Sequence, residues 1–240
     1  MFTDFGHGGP YLGEMEAVLA RHAPEVPRIR LMADAPAFAP RPSAYLLAAL
    51  ATRFAPGDVC LAVVDPGVGG ERLPLALEAD GRWFVGPDNG LFELVMRRAE
   101  RLRCFAIDWC PPELSASFHG RDLFAPVAAR LARGERRDLR PVEPTRFADW
   151  PDDWAAVVYV DGYGNAMTGL RAERVAAATV LEIGGRRIAR ARTFEAVPGG
   201  TAFWYANSAG LVEIAVNRGH AARELGLAPG TPVVVRRTGG

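Results

Sequence analysis

Lysine is absent from this sequence of 240 residues, so all 28 basic residues are arginine. A P-loop that holds phosphate with a lysine is therefore excluded, and so is any mechanism that forms a Schiff base on a lysine. The arginines are balanced by 28 acidic residues, which gives a formal net charge of zero. Because proteins that bind phosphate backbones usually carry a basic face, we expect no nucleic-acid partner.

Cysteine is scarce as well, with three residues at positions 60, 104 and 110. Their spacing is not paired, so neither a disulfide framework nor a zinc site is predicted. No apolar run approaches the ~20 residues that a membrane helix needs, and the N-terminus has no basic and apolar leader. We therefore expect no membrane partner and a cytoplasmic location.

Several common enzyme signatures are also missing. The absence of a GxSxG motif argues against a serine hydrolase, and the absence of a complete GxGxxG motif argues against ordinary Rossmann dinucleotide binding. A metal site built from Asp65 and His119 would lack the HExxH or paired-ligand spacing that such sites use, so we predict no metal.

The order of apolar patterns indicates two domains. Alternating strand and helix patterns over residues 1–140 predict an α/β domain with a central, mostly parallel sheet; they include a strand at 28–33 and a helix capped by Ser43. Residues 141–153, rich in charge and proline, are predicted to form a linker. Short strands separated by glycine turns then predict a smaller all-β barrel domain over residues 154–240, with one short helix at 220–225.

An apolar strand pattern at residues 59–64 ends in Asp65, which is followed by a glycine-rich turn and Arg72. The run does not alternate, as is typical of a strand covered on both faces. Open α/β sheets bind ligands at the carboxyl ends of their strands, and glycine lets the following loop fold tightly. The pattern predicts Asp65 and Arg72 at one site, and an ordinary turn with a surface arginine is the alternative.

Two further loops carry polar groups. Of the four histidines, only His119 lies in a loop beside other polar residues, so it is a candidate for proton transfer or else a structural or solvent-facing residue. The turn at residues 161–165 presents the carboxylate of Asp161 and the amide of Asn165. Its alternative interpretation is a plain hairpin loop.

A larger pattern appears when the short polar and glycine-rich segments are taken together. These segments are Thr3-Asp4-Phe5-Gly6, Pro10-Tyr11-Leu12-Gly13, Val64-Asp65-Pro66-Gly67-Val68-Gly69 with Arg72, Pro87-Asp88-Asn89-Gly90-Leu91, Phe118-His119-Gly120-Arg121-Asp122, Asp161 with Gly164-Asn165, and Asn207-Ser208 with Gly210 and Ile214-Ala215-Val216-Asn217-Arg218-Gly219. In order and wording they resemble the S-adenosyl-L-methionine hydroxide adenosyltransferases over nearly the whole chain.

Members of that family hydrolyse S-adenosylmethionine to adenosine and methionine, whereas the related fluorinases and chlorinases use a halide as the nucleophile. The resemblance implies an N-terminal α/β domain joined to a C-terminal β-barrel. It also implies a homotrimer that binds S-adenosyl-L-methionine between neighbouring subunits and uses no cofactor.

The resemblance assigns the attacking water to Asp65, Arg72 and His119. The halogenating relatives replace the Asp and the His by uncharged residues, so the resemblance implies a hydrolase. Charge supports that choice, because a carboxylate repels an anionic halide, whereas Asp65 and His119 can accept hydrogen bonds from water. The sulfonium leaves as a neutral thioether, which needs no proton, so catalysis rests on aligning the water and excluding bulk solvent.

The ribose contacts implied by the resemblance come from the first half of the chain. Asp4 would bind the two ribose hydroxyls, while Phe38 and Phe118 would form the walls around the sugar.

The contacts implied for the rest of the substrate come from the second half. Asn165 would read adenine with its amide, helped by the backbone near Arg218, and Phe194 would stack on the base. Asp161 and Ser208 would hold the amino-acid end.

One position departs from the family pattern. Gly9 stands where members usually carry an Asp that is expected to contact the methionine amine. The departure leaves open a non-catalytic module that binds adenosine or S-adenosylmethionine. A halide-dependent adenosyltransferase is a further alternative, which the retained Asp65 and His119 disfavour.

Overall fold

The computed structural model describes residues 1–236 and divides into two domains. The first spans Met1–Phe147 and the second begins at Ala148. Each domain is built on a mixed β-sheet. Residues 142–147 hydrogen-bond to the rest of the first domain. The backbone N–H and hydroxyl of Thr145 donate to Asp88, and the N–H of Phe147 donates to Glu93.

The sheet of the first domain contains six strands in the order β1-β2-β4-β3-β5-β6. Their bounds are β1 Phe2–Thr3, β2 Val59–Val63, β3 Pro74–Ala79, β4 Arg82–Pro87, β5 Leu102–Ile107 and β6 Leu139–Pro141. Strand β2 is parallel to β1 and β4, whereas the other three pairs are antiparallel. The predicted mostly parallel sheet is therefore corrected to a mixed one. The cause is the Asp80-Gly81 hairpin, whose left-handed residues join two central strands by a tight turn.

Four α-helices accompany this sheet in the described part of the first domain: α1 Tyr11–His22, α2 Pro40–Leu50, α3 Glu93–Arg98 and α4 Ala125–Ala132. A π-helical turn, Gly120–Phe124, leads directly into α4. Helix α2 begins at Pro40 rather than after Ser43, because proline has a backbone angle already suited to a first helical turn. Ser43 is fully buried inside the helix, so its prediction as the cap was wrong.

The predicted strand at residues 28–33 is reduced to one parallel bridge between Met32 and Phe2. Strand β1 has only two residues, so a longer ladder has nothing to pair with. Ile29 is 72% exposed, so its side chain lies outside the core of the first domain.

Strand β2 is covered on both faces, as its apolar run predicted. Its residues from Cys60 to Val63 are all buried, with no alternation. Leu61 and Val63 pack in one cluster with Met15 of α1 and Phe124 beside α4. The strand ends inside this core, so the chain emerges from it at Asp65 in a fixed direction.

The second domain contains a seven-stranded sheet in the order β13-β9-β10-β11-β12-β8-β7. The strands are β7 Trp154–Val160, β8 Ala166–Arg171, β9 Val180–Ile183, β10 Arg186–Arg190, β11 Ala202–Ala206, β12 Leu211–Val216 and β13 Val234–Arg236. All pairs are antiparallel except β10 with β11. The short helix predicted near residue 220 is α5, Ala221–Leu225. Fully buried Trp204 lies in the core and donates its indole N–H to the carbonyl of Thr179 at 3.0 Å.

Across residues 1–236 there is no helix with the length and apolar character needed to cross a membrane.

Candidate active site

The loop after β2 folds against the segment that carries His119. Gly69 has φ +78°, and a Cβ placed there would lie 2.4 Å from the carbonyl oxygen of Ala116. Real Cβ atoms do not approach backbone oxygens that closely, so only glycine fits at this contact. The glycine predicted to allow tight folding therefore lets the 65–72 loop and the 115–119 segment pack backbone to backbone.

Arg72 joins Asp65 to His119, which lies 47 positions further along the chain. Its Nε donates to both carboxylate oxygens of Asp65 at 3.1 Å, and its Nη2 also bonds to Oδ2. The same Nη2 lies 3.0 Å from Nδ1 of His119. The side chains of Arg72 and Asp65 are 10% and 4% exposed, so this is a largely buried, bidentate ion pair.

The arrangement fixes the proton on His119. A guanidinium has only donors, so Nδ1 must accept, and the neutral imidazole carries its hydrogen on Nε2. Burial lowers the pKa of His119 below its ordinary value, and the positive charge of Arg72 lowers it further, against the opposing effects of Asp65 and Asp122. His119 is therefore neutral at pH 7, with its Nδ1 lone pair already occupied.

The segment before His119 is held by an acidic side chain within the π-helical turn. Asp122 Oδ2 accepts the backbone N–H of Ser115 at 3.0 Å. Asp122 is itself bound by Arg121, whose guanidinium lies 5.0 Å from the ring centre of Phe118. Both residues belong to the Phe118–Asp122 motif, but its spacing gave no indication of this supporting role.

Asn89 supports the other side of the site. Its Nδ2 donates to the carbonyl of Val64 at 2.9 Å, immediately before Asp65, and its Oδ1 accepts the N–H of Leu91 at 3.2 Å. The sequence placed Asn89 in a shared motif without a role. Only the sheet order, which puts β4 beside β2, brings it to Val64.

Five of the predicted residues line one open cleft of about 330 Å³ in the first domain: Asp4, Phe38, Asp65, Phe118 and His119. Phe118 meets Phe5 and Tyr11 edge to face, with ring centres 5.7 Å and 5.4 Å apart. The cleft therefore has an aromatic wall next to the charged cluster.

Asp4 and Phe38 face this cleft together. The N–H of Phe38 donates to Asp4 Oδ2 at 2.9 Å. Burial raises the pKa of Asp4 and nearby Asp65 adds to the effect, while the Phe38 N–H opposes it. Phe38 has φ +57° and is 79% exposed. A bulky side chain in left-handed backbone is strained, and such strain tends to occur at functional sites.

Gly9 also lies in left-handed backbone, with φ +87°. A Cβ there would meet only the ring of Tyr11, at 3.9 Å. The departure from the family pattern is thus accompanied by a conformation that a side chain rarely adopts.

In the second domain, Asp161 and Asn165 belong to one tight turn. Asp161 Oδ1 accepts the N–H groups of Tyr163 and Asn165 at 2.9 Å and 2.8 Å. Asn165 Nδ2 donates to Asp161 Oδ2 at 3.3 Å, so the carboxylate orients the amide. Gly164 has φ +84°, and a Cβ there would lie 2.1 Å from the ring of His220, which explains the glycine.

The remaining predicted residues lie elsewhere in the second domain. Phe194 packs on Phe203 and Tyr205, with ring centres 5.0 Å and 5.5 Å away. Ser208 lies in the turn between β11 and β12, and Arg218 follows β12 with φ +58°. Glu213 was not predicted from the sequence; it is a buried carboxylate in β12 that binds Tyr205 and Asn207.

Metal coordination gains no support from these positions. Among the described residues, no group of three or more His, Cys, Asp or Glu side chains is arranged to hold a metal ion.

Comparison with known proteins places the chain in a family. Residues 1–140 match the S-adenosylmethionine hydroxide adenosyltransferase N-terminal domain, and residues 155–234 match the C-terminal domain. The (R)-S-adenosyl-L-methionine hydrolase of Thermus thermophilus is 41% identical, with 96% of each chain covered. The protein of the same name from Salinispora arenicola is 39% identical, over 95% of this chain and 93% of its own.

The fold comparison agrees with the sequence comparison. The crystal structure of an uncharacterized conserved protein from Thermotoga maritima superimposes with a TM-score of 0.87 at 28% identity, covering 98% of both chains. The chain belongs to the S-adenosyl-L-methionine hydroxide adenosyltransferase family.

Proposed function

We propose that this chain hydrolyses S-adenosyl-L-methionine to adenosine and L-methionine by attack of water on the ribose 5′ carbon. The observation that carries the proposal is the Asp65–Arg72–His119 cluster beside an aromatic cleft, in a chain of this family. A new bond forms between the water oxygen and C5′, and the bond from C5′ to sulfur breaks. The bonding electron pair returns to sulfur, which leaves as the neutral thioether of methionine.

The proposed roles follow from the hydrogen bonds in the cluster. Asp65 accepts a proton from the attacking water, since the Nδ1 lone pair of His119 is occupied by Arg72. His119 then presents Nε2–H and orients the water oxygen instead of accepting from it. This differs from the acceptor role expected for His119 from the sequence. Arg72 holds both side chains in place and favours a hydroxide-like nucleophile through its charge.

The cleft would bind the sugar and exclude solvent. We assign the ribose hydroxyls to Asp4 and the walls of the sugar pocket to Phe38 and Phe118. Removing water strengthens every charge interaction around the reacting carbon. A positive sulfonium that becomes neutral also favours an apolar wall at the transition state.

The second domain would bind the rest of the substrate. We assign adenine to Asn165 and the backbone near Arg218, with Phe194 stacking on the base. Asp161 and Ser208 would hold the amino-acid end. Because Asp161 also orients Asn165, its loss should affect both contacts.

We also propose the finer points of organisation that the resemblance implies. The protein would act without a cofactor, as a cytoplasmic homotrimer with active sites between subunits and no nucleic-acid or membrane partner. The domains would span 1–140 and 154–240, joined by 141–153. The second domain would form a closed barrel, since the N–H groups of Val157 and Val233 bond to Thr231 and Ala155 and so link edge strand β7 to the segment just before the other edge strand, β13.

The test is to incubate the purified protein with S-adenosylmethionine in oxygen-18 water and follow the products by mass spectrometry. Adenosine with the heavy oxygen at its 5′ hydroxyl, together with unlabelled methionine, is the expected result. Asp65→Asn should abolish adenosine release, whereas Asp108→Asn, which alters only an exposed pair with Arg140, should not.

Other outcomes separate the alternatives. Stoichiometric binding without methionine release would overturn the hydrolase and favour the binding module that Gly9 leaves open. A halogenated nucleoside formed on adding chloride would overturn it in favour of the halide-dependent transferase.

A further inference from the structure

Strand β12 carries one carboxylate in an otherwise apolar and fully buried run. Glu213 is 2% exposed, and all six residues of the strand are buried. A buried carboxylate is costly unless hydrogen bonds replace its lost water. Glu213 has two such bonds, from the hydroxyl of Tyr205 to Oε1 and from Nδ2 of Asn207 to Oε2, both at 2.6 Å.

The first of these bonds leads to an aromatic cluster. Tyr205 is the direct cross-strand partner of Glu213. Its ring packs against Phe194 at 5.5 Å and 66° and against Phe203 at 5.6 Å. Phe194 remains 37% exposed, so one part of its ring is held and another part faces solvent. Glu213 therefore fixes the tilt of the ring on which Phe194 rests.

The second bond leads to the turn between β11 and β12. Asn207 Oδ1 accepts the N–H groups of Ala209 and Leu211 at 3.0 Å and 2.9 Å. The Asn207 carbonyl also accepts the N–H of Gly210 at 3.0 Å. The Asn207 side chain can serve this turn only while its amide is correctly oriented, and Glu213 sets that orientation by taking the Nδ2 hydrogen. Ser208 lies inside the turn.

We infer that Glu213 is a positioning residue that sets two substrate contacts at once, the ring of Phe194 and the turn of Ser208. This inference rests on the proposed function, which assigns Phe194 to the base and Ser208 to the amino-acid end. Two independent chains of contact, one aromatic and one polar, start from the two oxygens of the same side chain. A carboxylate suits this position because both of its oxygens accept and neither donates.

The inference predicts a change in binding without a change in chemistry. Glu213 hydrogen-bonds to Tyr205 and Asn207 within the second domain, whereas the Asp65–Arg72–His119 cluster belongs to the first domain. Loss of Glu213 should therefore raise KM and leave kcat unchanged within about twofold. Because Glu213 acts through Phe194 and the turn of Ser208, misplacement of these contacts is expected to weaken adenosine binding by about tenfold.

Three variants test the inference. Glu213→Gln keeps the shape but leaves a single acceptor oxygen, so the bonds now donated by Tyr205 and Asn207 cannot both keep their direction. Tyr205→Phe removes only the hydroxyl that reaches Glu213. Glu182→Gln is the matched control, because Glu182 lies in β9 of the same domain and pairs on the surface with Arg236 at 3.0 Å.

The measurements are kcat and KM for S-adenosylmethionine and the Kd of adenosine by calorimetry. We expect about tenfold increases in KM and Kd for Glu213→Gln and smaller increases for Tyr205→Phe, with wild-type values for Glu182→Gln. Wild-type KM and Kd in Tyr205→Phe, or a loss of kcat alone in either test variant, overturns the inference. Tyr205→Phe keeps the test decisive if Glu213→Gln does not fold.

Failure of the proposed function gives a different result. If the wild-type protein binds adenosine but releases none from S-adenosylmethionine, the hydrolase proposal fails, while the Kd comparison still tests Glu213. If the wild-type Kd is unmeasurable and no turnover occurs, both fail together.

Discussion

Arg72 Nη2 lies 3.0 Å from Nδ1 of His119 while the same guanidinium is bound to Asp65. Neutral His119 accepts from Arg72, whereas protonated His119 would place an N–H against an N–H. The charge state of His119 thus determines whether the contact with Arg72 survives. Because Arg72 also holds Asp65, protonation of the imidazole should disturb the carboxylate to which we assign the proton of the attacking water.

We expect activity to fall on the acid side as His119 becomes protonated. The midpoint should lie below the ordinary histidine pKa of about 6.5, because burial and then Arg72 lower the pKa of His119. The check is the pH profile of kcat/KM for the wild type and for His119→Asn, which should lose this acid limb along with most of its activity. A wild-type midpoint above the ordinary histidine value would contradict the assignment.

The lowered pKa of His119 should also make the free energy of unfolding depend on pH. The folded state binds fewer protons at His119 than the unfolded state at pH values between the lowered pKa and about 6.5. The contribution of His119 to the free energy of unfolding should therefore rise with pH through that interval. The same contribution is lost as the pH falls through it. Urea titrations of wild type and His119→Asn across this range measure the effect, and equal pH dependence in the two proteins would show that the shift is absent.

Replacing Arg72 by Lys should be severe although the charge is kept. One ammonium cannot donate to both oxygens of Asp65 and also reach His119, so the geometry of the cluster would loosen. A misplacement of about 1 Å at a reacting centre costs about 10²-fold in rate, and we expect kcat of Arg72→Lys to fall by that order. Arg140→Lys, at an exposed pair with Asp108, is the control and should retain wild-type kcat. Similar kcat values for the two variants would show that catalysis does not need the bidentate contact between Arg72 and Asp65.

Some of the site could be predicted from local sequence. The unalternating run before Asp65 and the glycines after it predicted a buried strand and a tight loop, and β2 and Gly69 have those properties. These features depend on neighbouring residues, and so a linear sequence records them. The order of short segments also predicted the family, which the comparisons confirm.

Other features depend on which strands lie side by side, and no local pattern encodes that. The position of the Asp80-Gly81 hairpin near the middle of the sheet, which makes the sheet mixed, was not predicted. Glu213 looks like one polar residue in an apolar strand until the register of β11 and β12 puts it opposite Tyr205. Asn89 likewise gains its role only because its side chain reaches Val64.

Gly69→Ala should damage catalysis more than its backbone strain alone explains. The new Cβ would meet the Ala116 carbonyl at 2.4 Å and push the loop of Asp65 away from the segment of His119. Gly134→Ala is the matched control, because Gly134 has φ +81° with nothing within 4 Å of a Cβ. Both variants should lose about 1–2 kcal/mol of stability from left-handed backbone, but only Gly69→Ala should lose most of its kcat. Equal kcat in the two variants would contradict the packing argument.

Asn89→Ala should lower kcat with little change in KM. Its amide holds the Val64 carbonyl, and without it the chain at Asp65 loses a support from a residue that does not line the cleft. We expect a loss of about 1 kcal/mol in stability and about a tenfold loss in kcat. Thr52→Val, which removes a hydrogen bond to the Ala49 carbonyl, supplies a comparable stability loss without an effect on kcat. A kcat that follows stability equally in both variants would leave Asn89 with a structural role only.

Phe38 allows strain and substrate contact to be separated with two substitutions. Phe38→Ala removes the ring but keeps a Cβ at φ +57°, whereas Phe38→Gly removes the ring and the strain. Both should raise KM by about tenfold if the ring covers the sugar, because fully burying an aromatic side chain contributes about 1.5–3 kcal/mol.

The two variants should differ in stability, with Phe38→Gly about 1 kcal/mol more stable than Phe38→Ala. Ile29→Ala is the control for loss of an exposed apolar side chain, since Ile29 is 72% exposed and lies outside the cleft. Unchanged KM in both Phe38 variants would place the sugar elsewhere. Equal stability of the two variants would mean that the left-handed backbone at Phe38 carries no strain. The hydrogen bond from the Phe38 N–H to Asp4 would then explain why the backbone adopts this conformation.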